Sequence, residues 1–296
     1  MAAITGQEPV SLMRTAEYLQ ARPVGWLLAG LLGVAISFAA PPPSDSKDAA
    51  RTHQRTNWVA RVPADQTSGT NGLGLLALPR PVPAHRADLP AAFTKVVPTS
   101  IADLKAIERH IKALAARLSP AVVAIEIGSG SGSGVVVSAD GLVLTAGHVC
   151  GRRGRTARFT FPDGKTTRGK TVGVDFESDT GFMQITDRGT WPHVAMGDLK
   201  QARVGDWVLA LGHPGGFDRQ RSLVVRSGRI IEVTEDALQT DCAIGPGDSG
   251  GPLFDMHGRV IGIHDAISSS VSDNFHVPAT EFYDTWEVLT KGADWR

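Results

Sequence analysis

A succession of short, β-branched runs separated by glycine-rich turns fills most of the second half of the chain. Ala121–Ile127, Leu142–Thr145 and Val260–Asp265 are examples, and turn signals such as Pro162-Asp163-Gly164-Lys165 separate them. Short strands with tight turns are typical of antiparallel sandwiches and barrels. With 33 glycines and only 6% aromatic residues, the composition suits such a protein. The sequence predicts an all-β domain of about a dozen strands, with no long helix until Ala279–Leu289.

A helix is predicted immediately before this domain, over residues 100–118. Apolar residues recur there at spacings of three and four, with charged residues between them: Leu104, Ile107, Ile111, Leu114 and Leu118. This is the pattern of an amphipathic helix, and Ser119-Pro120 ends it. We expect the helix to pack against the domain formed by residues 119–296.

The first hundred residues divide into two regions. Val24–Ala40 is an uncharged apolar run of 17 residues that follows Arg14 and Arg22. Residues 1–40 therefore predict a signal peptide or a membrane anchor. Ser37-Phe38-Ala39 fits a cleavage site, whereas the long preceding arm favours an anchor. Either would place the rest of the chain outside the cytoplasm. Residues 41–99 are rich in Pro, Ala and Ser and are predicted to be a largely disordered linker.

Charge and motifs exclude several classes of function. Lys plus Arg equals Asp plus Glu at 30 each, so no global field favours nucleic acid. No phosphate-binding glycine motif follows a strand, and no Cys/His cluster has zinc spacing. We therefore expect no cofactor, no metal and no nucleic-acid partner. The two cysteines, Cys150 and Cys242, are predicted to be free and buried, with a bridge between them as the alternative. The glycine–serine run at residues 128–134 joins two predicted strands and is predicted to be a flexible hairpin.

The segment Gly245–Leu253, here called the serine loop, carries the strongest chemical signal. Ser249 stands between glycines, and Pro246 and Pro252 fix the entry and the exit. Such a turn exposes a hydroxyl and can aim backbone N–H groups at one point. The residues Gly247, Asp248 and Ser249 are the expected oxyanion-binding backbone. A glycine-rich hairpin without chemistry would show the same residue types, so the partners upstream decide between the two.

Two upstream segments offer those partners. Leu144–Val149 ends a strand with His148 among small residues, which leaves room for a base to approach a serine. An acidic residue is expected between His148 and Ser249. Asp179 directly precedes an apolar strand and is favoured over Asp175, while Glu177 and Asp175 resemble solvated turn residues. Together His148, Asp179 and Ser249 would form a catalytic triad.

With these residues the chain resembles a trypsin-like serine protease of the chymotrypsin fold, and most closely the HtrA (Deg) branch. The order His…Asp…Ser is that of chymotrypsin. The other matching motifs are Gly132–Gly141 leading into His148, Ser178-Asp179, and Leu211–Gly216. The resemblance covers roughly residues 119–289. It implies two six-stranded antiparallel β-barrels, with an N-terminal amphipathic helix, a C-terminal helix, and the triad in the cleft between the barrels.

The resemblance also implies a substrate pocket and reveals departures. Ile244, His264 and Ile267 would line the pocket for the residue before the scissile bond, which favours small or medium aliphatic side chains. Asp248 stands where HtrA proteins usually have Asn, and no activation site is evident that would free an N-terminus to pair with it. Too few residues follow the domain for the PDZ domain that is usual in relatives, so capture of substrates through one is not expected.

The function that the resemblance implies is serine endopeptidase activity through an acyl-enzyme. Its expected setting is the periplasm or the outer face of a membrane, in protein quality control or regulated proteolysis. Protein or peptide substrates, a membrane contact through residues 1–40 if they are retained, and a homo-oligomer are the expected partners. The alternative is a catalytically silent or latent module of the same fold that needs a partner for activation.

Overall fold

Two closed antiparallel β-barrels of six strands each form the domain. The structure, a computed structural model, describes residues 77–83, 88–221, 223–267 and 273–290. The first barrel has the order β1-β2-β3-β6-β5-β4, and the second has the order β10-β11-β12-β9-β8-β7. The strands of the first barrel are β1 Val122–Ile127, β2 Gly130–Val136, β3 Leu142–Ala146, β4 Thr156–Thr160, β5 Thr166–Asp175 and β6 Thr180–Ile185. Those of the second are β7 Trp207–Gly212, β8 Val224–Val233, β9 Leu238–Thr240, β10 Pro252–Asp255, β11 Val260–Ile267 and β12 Asn274–Pro278. The predicted fold is confirmed.

Each barrel closes around its own apolar interior, and a third cluster joins the two. Ile125, Val143 and Phe159 belong to the interior of the first barrel, and none of them is exposed. The interior of the second barrel includes Val208 and Leu253, which are equally buried. The cluster between the barrels contains residues of both. Closure of each barrel removes the free sheet edges. The buried cluster between the barrels fixes their relative position and therefore the cleft between them.

The predicted N-terminal helix is present as α1, Ile101–Leu118. Its N-cap is Ser100, whose Oγ accepts from the backbone N–H of Asp103. Ile107, Leu114 and Leu118 are buried against the domain as expected. Leu104 is 56% exposed, so its predicted place on the packed face is wrong, because the contact covers only the later turns of the helix.

The predicted C-terminal helix is present as α3, Ala279–Thr290. It follows the last strand of the second barrel and packs on strands of both barrels. The Phe282 ring meets Phe182 of β6 edge-on at 5.4 Å, and Trp286 lies 5.1 Å from the same ring. The helix therefore clamps the two barrels together.

Parts of the predicted linker lie within the described residues and contact the domain. Leu78 and Phe93 pack against the cluster between the barrels. The Val82 N–H donates to the Met196 carbonyl at 2.9 Å, and the Tyr283 hydroxyl donates to the Pro79 carbonyl at 2.7 Å. The rest of residues 41–99, like the apolar run Val24–Ala40, lies outside the described residues. Among the helices within those residues, none combines the length and apolar character of a membrane span.

The glycine–serine run joins β1 to β2 as the predicted hairpin, with its turn at residues 128–129, but most of its length is ordered strand β2 and not a flexible loop. Gly130 to Val135 pair in register with β1. A Cβ on Gly132 would lie 2.8 Å from a Val149 methyl carbon and 3.0 Å from the Ser249 carbonyl oxygen. Glycine is therefore required there because β2 passes directly beneath the serine loop.

Candidate active site

The serine loop is held by backbone and side-chain hydrogen bonds from both barrels. The Ser249 carbonyl accepts from the Ser133 N–H at 2.8 Å, and the Gly250 N–H donates to the His264 carbonyl at 2.8 Å. The fully buried Ser133 hydroxyl donates to the Gly247 carbonyl at 2.8 Å and accepts from the His213 N–H at 2.9 Å. These contacts fix the loop in the cleft. Sequence reasoning missed Ser133, whose role depends on pairings across the two barrels.

Left-handed backbone at two glycines gives the loop its shape. Gly247 has φ +93° and Gly250 has φ +84°. A Cβ on Gly250 would approach the Thr145 hydroxyl and the Ser133 carbonyl to 2.0 and 2.3 Å, and one on Gly247 would lie 2.5 Å from the Gly215 nitrogen. Both positions therefore demand glycine by conformation and by space. The Ser249 side chain remains partly accessible in this frame.

His148 lies in the single-turn helix α2, Gly147–Cys150, which directly follows strand β3. Its Nδ1 lies 2.8 Å from Asp179 Oδ2, and its backbone N–H donates to Asp179 Oδ1 at 2.8 Å. The Asp179 carboxylate is therefore hydrogen-bonded to both the ring and the backbone of His148. The hydrogen bond between the His148 ring and the Asp179 carboxylate, more than any other cause, raises the pKa of His148 above its ordinary value, and burial opposes the rise.

The serine loop and the segment that carries His148 pack against the same strands, β2 and β3. The serine loop lies against the end of β3, so closely that a side chain at Gly250 would collide with the Thr145 hydroxyl. At Gly132 a single methyl group would touch both Val149, the residue after His148, and the Ser249 carbonyl. The fold thus brings His148 and Asp179 into direct contact and packs the serine loop against the segments β2, β3 and α2 that surround them.

Asp179 has φ +51°, the one positive value among the described residues other than glycine. Asp tolerates this left-handed region better than most residues. Such strain persists where surrounding structure enforces it and is common at functional sites. The Asp179 carbonyl also accepts from the Gly147 N–H at 2.8 Å, which ties the turn to α2. Asp175, the alternative acid, instead accepts from the Glu177 N–H at 2.9 Å and the Ser178 hydroxyl at 2.7 Å, within its own turn.

A third ionisable group, Asp265 on β11, lies beside this pair. Ring nitrogen and carboxylate oxygens of His148, Asp179 and Asp265 lie within 4.8 Å of one another. Burial, then the negative charge of Asp179 and a hydrogen bond to it, raises the pKa of Asp265 to about 6. The two carboxyl groups are thus joined by a hydrogen bond, although the spacing would also suit a cation. Sequence reasoning missed Asp265; its one signal was an aspartate inside an otherwise apolar strand.

Asp265→Asn is expected to lower the pKa of His148. Once ionised, Asp265 adds a negative charge that favours the imidazolium, and Asn removes this charge while it keeps a donor that can face Asp179. The measurement is an NMR titration of the His148 ring protons in both proteins. Asp163→Asn, which removes an exposed carboxylate paired with Lys165, is the control and should leave the midpoint unchanged. An unchanged or higher midpoint in Asp265→Asn would contradict the assignment.

The three predicted pocket residues occupy different environments. Ile244 is partly buried against the interior of the second barrel, and its N–H donates to Asn274 Oδ1 at 3.0 Å. Ile267, at the end of β11, is 52% exposed. His264 is fully buried, with its Nδ1 2.9 Å from the Nδ1 of His276. The desolvation of this histidine pair lowers the pKa of both rings, that of His276 to about 3. Their lining of a pocket stays a prediction.

Both cysteines are free and buried, as expected. Burial raises the pKa of each thiol to about 12, and for Cys150 the charge of Asp179 adds to the rise. A thiol that stays protonated is a poor nucleophile. Neither cysteine therefore competes with Ser249, the predicted nucleophile.

A protein-family model described as a trypsin-like peptidase domain matches residues 132–263. This part of the chain is similar to a trypsin-like peptidase domain. The matched segment contains His148, Asp179, Ser249 and the whole serine loop, together with the strands that support them. The resemblance identified from the motifs is thus confirmed by an independent comparison.

Relatives of this trypsin-like domain are bacterial proteases of the HtrA type. A probable periplasmic serine endoprotease DegP-like of Pseudomonas putida (strain W619) is 39% identical over 140 residues, which are 46% of this chain and 29% of the relative. A putative serine protease HhoB of Synechocystis sp. is 34% identical over 173 residues, 55% of this chain and 41% of the relative. The matches thus span less than half of these relatives' own length.

A solved structure with the same fold is the HtrA-type protease AlgW with a tripeptide. It superposes with a TM-score of 0.55 at 31% sequence identity and covers 62% of this chain and 64% of that chain. The likeness agrees with the two-barrel fold and with the HtrA relationship.

Proposed function

We propose that this chain is a serine endopeptidase of the HtrA type. The observation that carries the proposal is the double contact of Asp179 with His148, at 2.8 Å to the ring and 2.8 Å to the backbone, beside a serine loop locked against the same strand. In this arrangement Asp179 fixes the tautomer of His148 in which Nε2 is free to take a proton. The chemistry that follows is acyl transfer.

The proposed steps use these groups in turn. Ser249 Oγ attacks the scissile carbonyl carbon while His148 takes its proton, and the carbonyl oxygen becomes an oxyanion. His148 then protonates the leaving amine as the C–N bond breaks, which leaves an acyl-enzyme on Ser249. Water, deprotonated by His148, attacks the acyl carbon, and the ester bond breaks as His148 returns the proton to Ser249 Oγ. Asp179 stabilises the imidazolium in both halves.

The backbone N–H groups of Gly247 and Ser249 are the proposed oxyanion donors. The hydrogen-bond network of the serine loop engages the N–H groups of Gly245, Asp248, Gly250 and Gly251. Within the described residues, those of Gly247 and Ser249 donate to no protein acceptor and are available to a ligand. Each such donor contributes about 3–4 kcal/mol of transition-state stabilisation.

The substrates and setting follow from the relatives. The relatives named above are periplasmic endoproteases or serine proteases, and AlgW was solved with a tripeptide. We extend to this chain protein or peptide substrates and an extracytoplasmic location, with residues 1–40 as export signal or anchor. A role in envelope protein quality control or regulated proteolysis and a homo-oligomeric assembly belong to the same proposal. Ile244 and Ile267 support a preference for small or medium aliphatic residues before the scissile bond.

A fluorophosphonate probe tests the proposal directly. Folded protein is expected to gain one covalent adduct, and mass spectrometry of the digest should place it on Ser249, because only a serine with an activated hydroxyl and an oxyanion site reacts readily. Heat-unfolded protein is the control and should remain unlabelled. A folded protein without an adduct, or with the adduct on another residue, would favour the silent-module alternative.

A further inference from the structure

Asp248 is a fully buried carboxylate inside the serine loop, one residue before Ser249. Its side chain has no exposed area, whereas Ser249 is partly exposed. Burial raises the pKa of Asp248 above its ordinary value, and the charge of Arg226 opposes the rise. A buried carboxylate is costly unless it is paired and hydrogen-bonded. The partners of Asp248 therefore decide whether the loop can hold this shape.

Arg226 of β8 supplies the main partner. Its Nη2 lies 3.0 Å from Asp248 Oδ2, and its Nη1 donates to Oδ1 at 3.3 Å. The two contacts form the bidentate pair for which the planar guanidinium is suited. A third bond comes from the Gly245 N–H, which donates to Oδ2 at 2.9 Å. Arg226 is itself only 22% exposed, so water screens the pair weakly.

The ion pair lies beneath the backbone that carries the proposed oxyanion donors. The Asp248 N–H donates to the Gly245 carbonyl at 2.9 Å, and its carbonyl accepts from the Gly251 N–H at 2.8 Å. At Gly212 a Cβ would lie 2.3 Å from Asp248 Oδ1, so the carboxylate fills its site without slack. With Asp248 fixed, the peptide groups on either side, which bear the Gly247 and Ser249 N–H groups, have fixed directions.

We propose that Arg226 is the positioning residue of the serine loop: its guanidinium holds Asp248, and through it the oxyanion donors, in the reactive arrangement. The inference rests on the proposed function for its consequence in catalysis, while the anchoring itself is independent of activity. The cation that the buried aspartate needs comes from within the folded domain, on a neighbouring strand. The loop is thereby formed on folding, without chain cleavage and without a bound activator.

The test compares Arg226→Met with Arg229→Met. Met keeps an unbranched apolar stem and removes the charge. Arg229 lies on the same strand and stacks on Trp207 at 4.0 Å, away from the serine loop. Hydrogen exchange of peptides covering residues 245–253 is expected to accelerate in Arg226→Met and to stay unchanged in Arg229→Met. Unchanged exchange in the folded Arg226→Met protein would overturn the proposal, whatever the activity of the wild type.

Kinetics then separate positioning from general stability. In Arg226→Met we expect kcat to fall about 100-fold, the loss expected for one oxyanion donor, with KM nearly unchanged, and Arg226→Lys should restore part of it. Asp248→Asn should resemble Arg226→Met, and the double variant should be no worse than either single one. Wild-type kcat in Arg226→Met, or additive losses in the double variant, would overturn the proposal. If Arg226→Met does not fold, the same exchange and kinetic criteria apply to Arg226→Lys and Asp248→Asn.

The failure of the proposed function gives a different result. A wild-type protein that neither reacts with fluorophosphonate nor cleaves peptides, while Arg226→Met still loosens residues 245–253, would refute the protease and leave the anchor intact. An active wild type, together with an Arg226→Met protein whose hydrogen exchange and kcat are unchanged, would refute the anchor and leave the protease intact.

Discussion

Ser249→Ala is expected to lower kcat about 10⁶-fold, the size of loss found when a triad nucleophile is removed. The hydroxyl is the atom that forms the acyl-enzyme, and no neighbouring group replaces it, since both cysteine thiols are buried and held protonated. The loop contacts of Ser249 are made by its backbone, whose carbonyl accepts from the Ser133 N–H at 2.8 Å. Alanine therefore preserves them, and the variant should fold like the wild type.

The measurement is steady-state cleavage of an unstructured protein substrate, with cleavage sites mapped by mass spectrometry. Ser227→Ala, at an exposed position of β8, is the matched control and should retain wild-type rates. The same maps report the residue before each scissile bond and so test the aliphatic preference. Cleavage that persists in Ser249→Ala would show that Ser249 is not the nucleophile.

Asp179→Asn is expected to reduce kcat at neutral pH by about 10⁴-fold, the loss known for this change in a triad of the same type. An amide nitrogen facing His148 Nδ1 favours the tautomer whose Nε2 already carries a proton, and that ring cannot accept one from Ser249. It also provides no charge to stabilise the imidazolium. Asn tolerates φ near +51° as well as Asp does, so the turn should persist.

Asp175→Asn is the control for this prediction, because it tests the other acid that the sequence offered. Asp175 closes its own turn through the Ser178 hydroxyl and the Glu177 N–H. Its replacement is expected to cost about 1 kcal/mol of folding free energy, the contribution of one hydrogen bond, and to leave kcat near the wild-type value. A large loss of kcat in Asp175→Asn with little change in Asp179→Asn would reverse the assignment.

Local sequence was sufficient for the helices, for most of the strands and for naming the three triad candidates, but it missed β10 and β12 and divided β8 into two strands. Runs of β-branched residues and glycines indicate strands and turns, and the apolar spacing with a serine cap indicates α1. Leu104 shows the limit of such patterns: periodicity gives the apolar face of a helix, but how much of that face is covered depends on the partner surface. The run at 128–134 shows a second limit of such patterns. Its Gly132 permits close packing under Ser249, whereas the composition alone indicates flexibility.

The residues that complete the site could not be read from the chain. Arg226 and Asp248 are separated by a strand and a loop, and Ser133 lies in the other barrel from His213, which donates to it. Asp265 approaches Asp179 only because β11 passes the β5–β6 turn when the barrels pack. Each of these pairings is set by barrel closure and by the fit between barrels, which single-sequence patterns do not encode.

The sequence by itself determined that the chain forms an all-β domain with a glycine-framed serine, a histidine after a strand and an acid between them, because these depend on residue type and local spacing. The tertiary structure alone decided which partners complete the site: the Arg226 guanidinium that holds Asp248 and the Asp265 carboxyl beside Asp179. Charge pairing in a buried site depends on distance in space, and the distance between strands of two closed barrels is fixed only when both have closed.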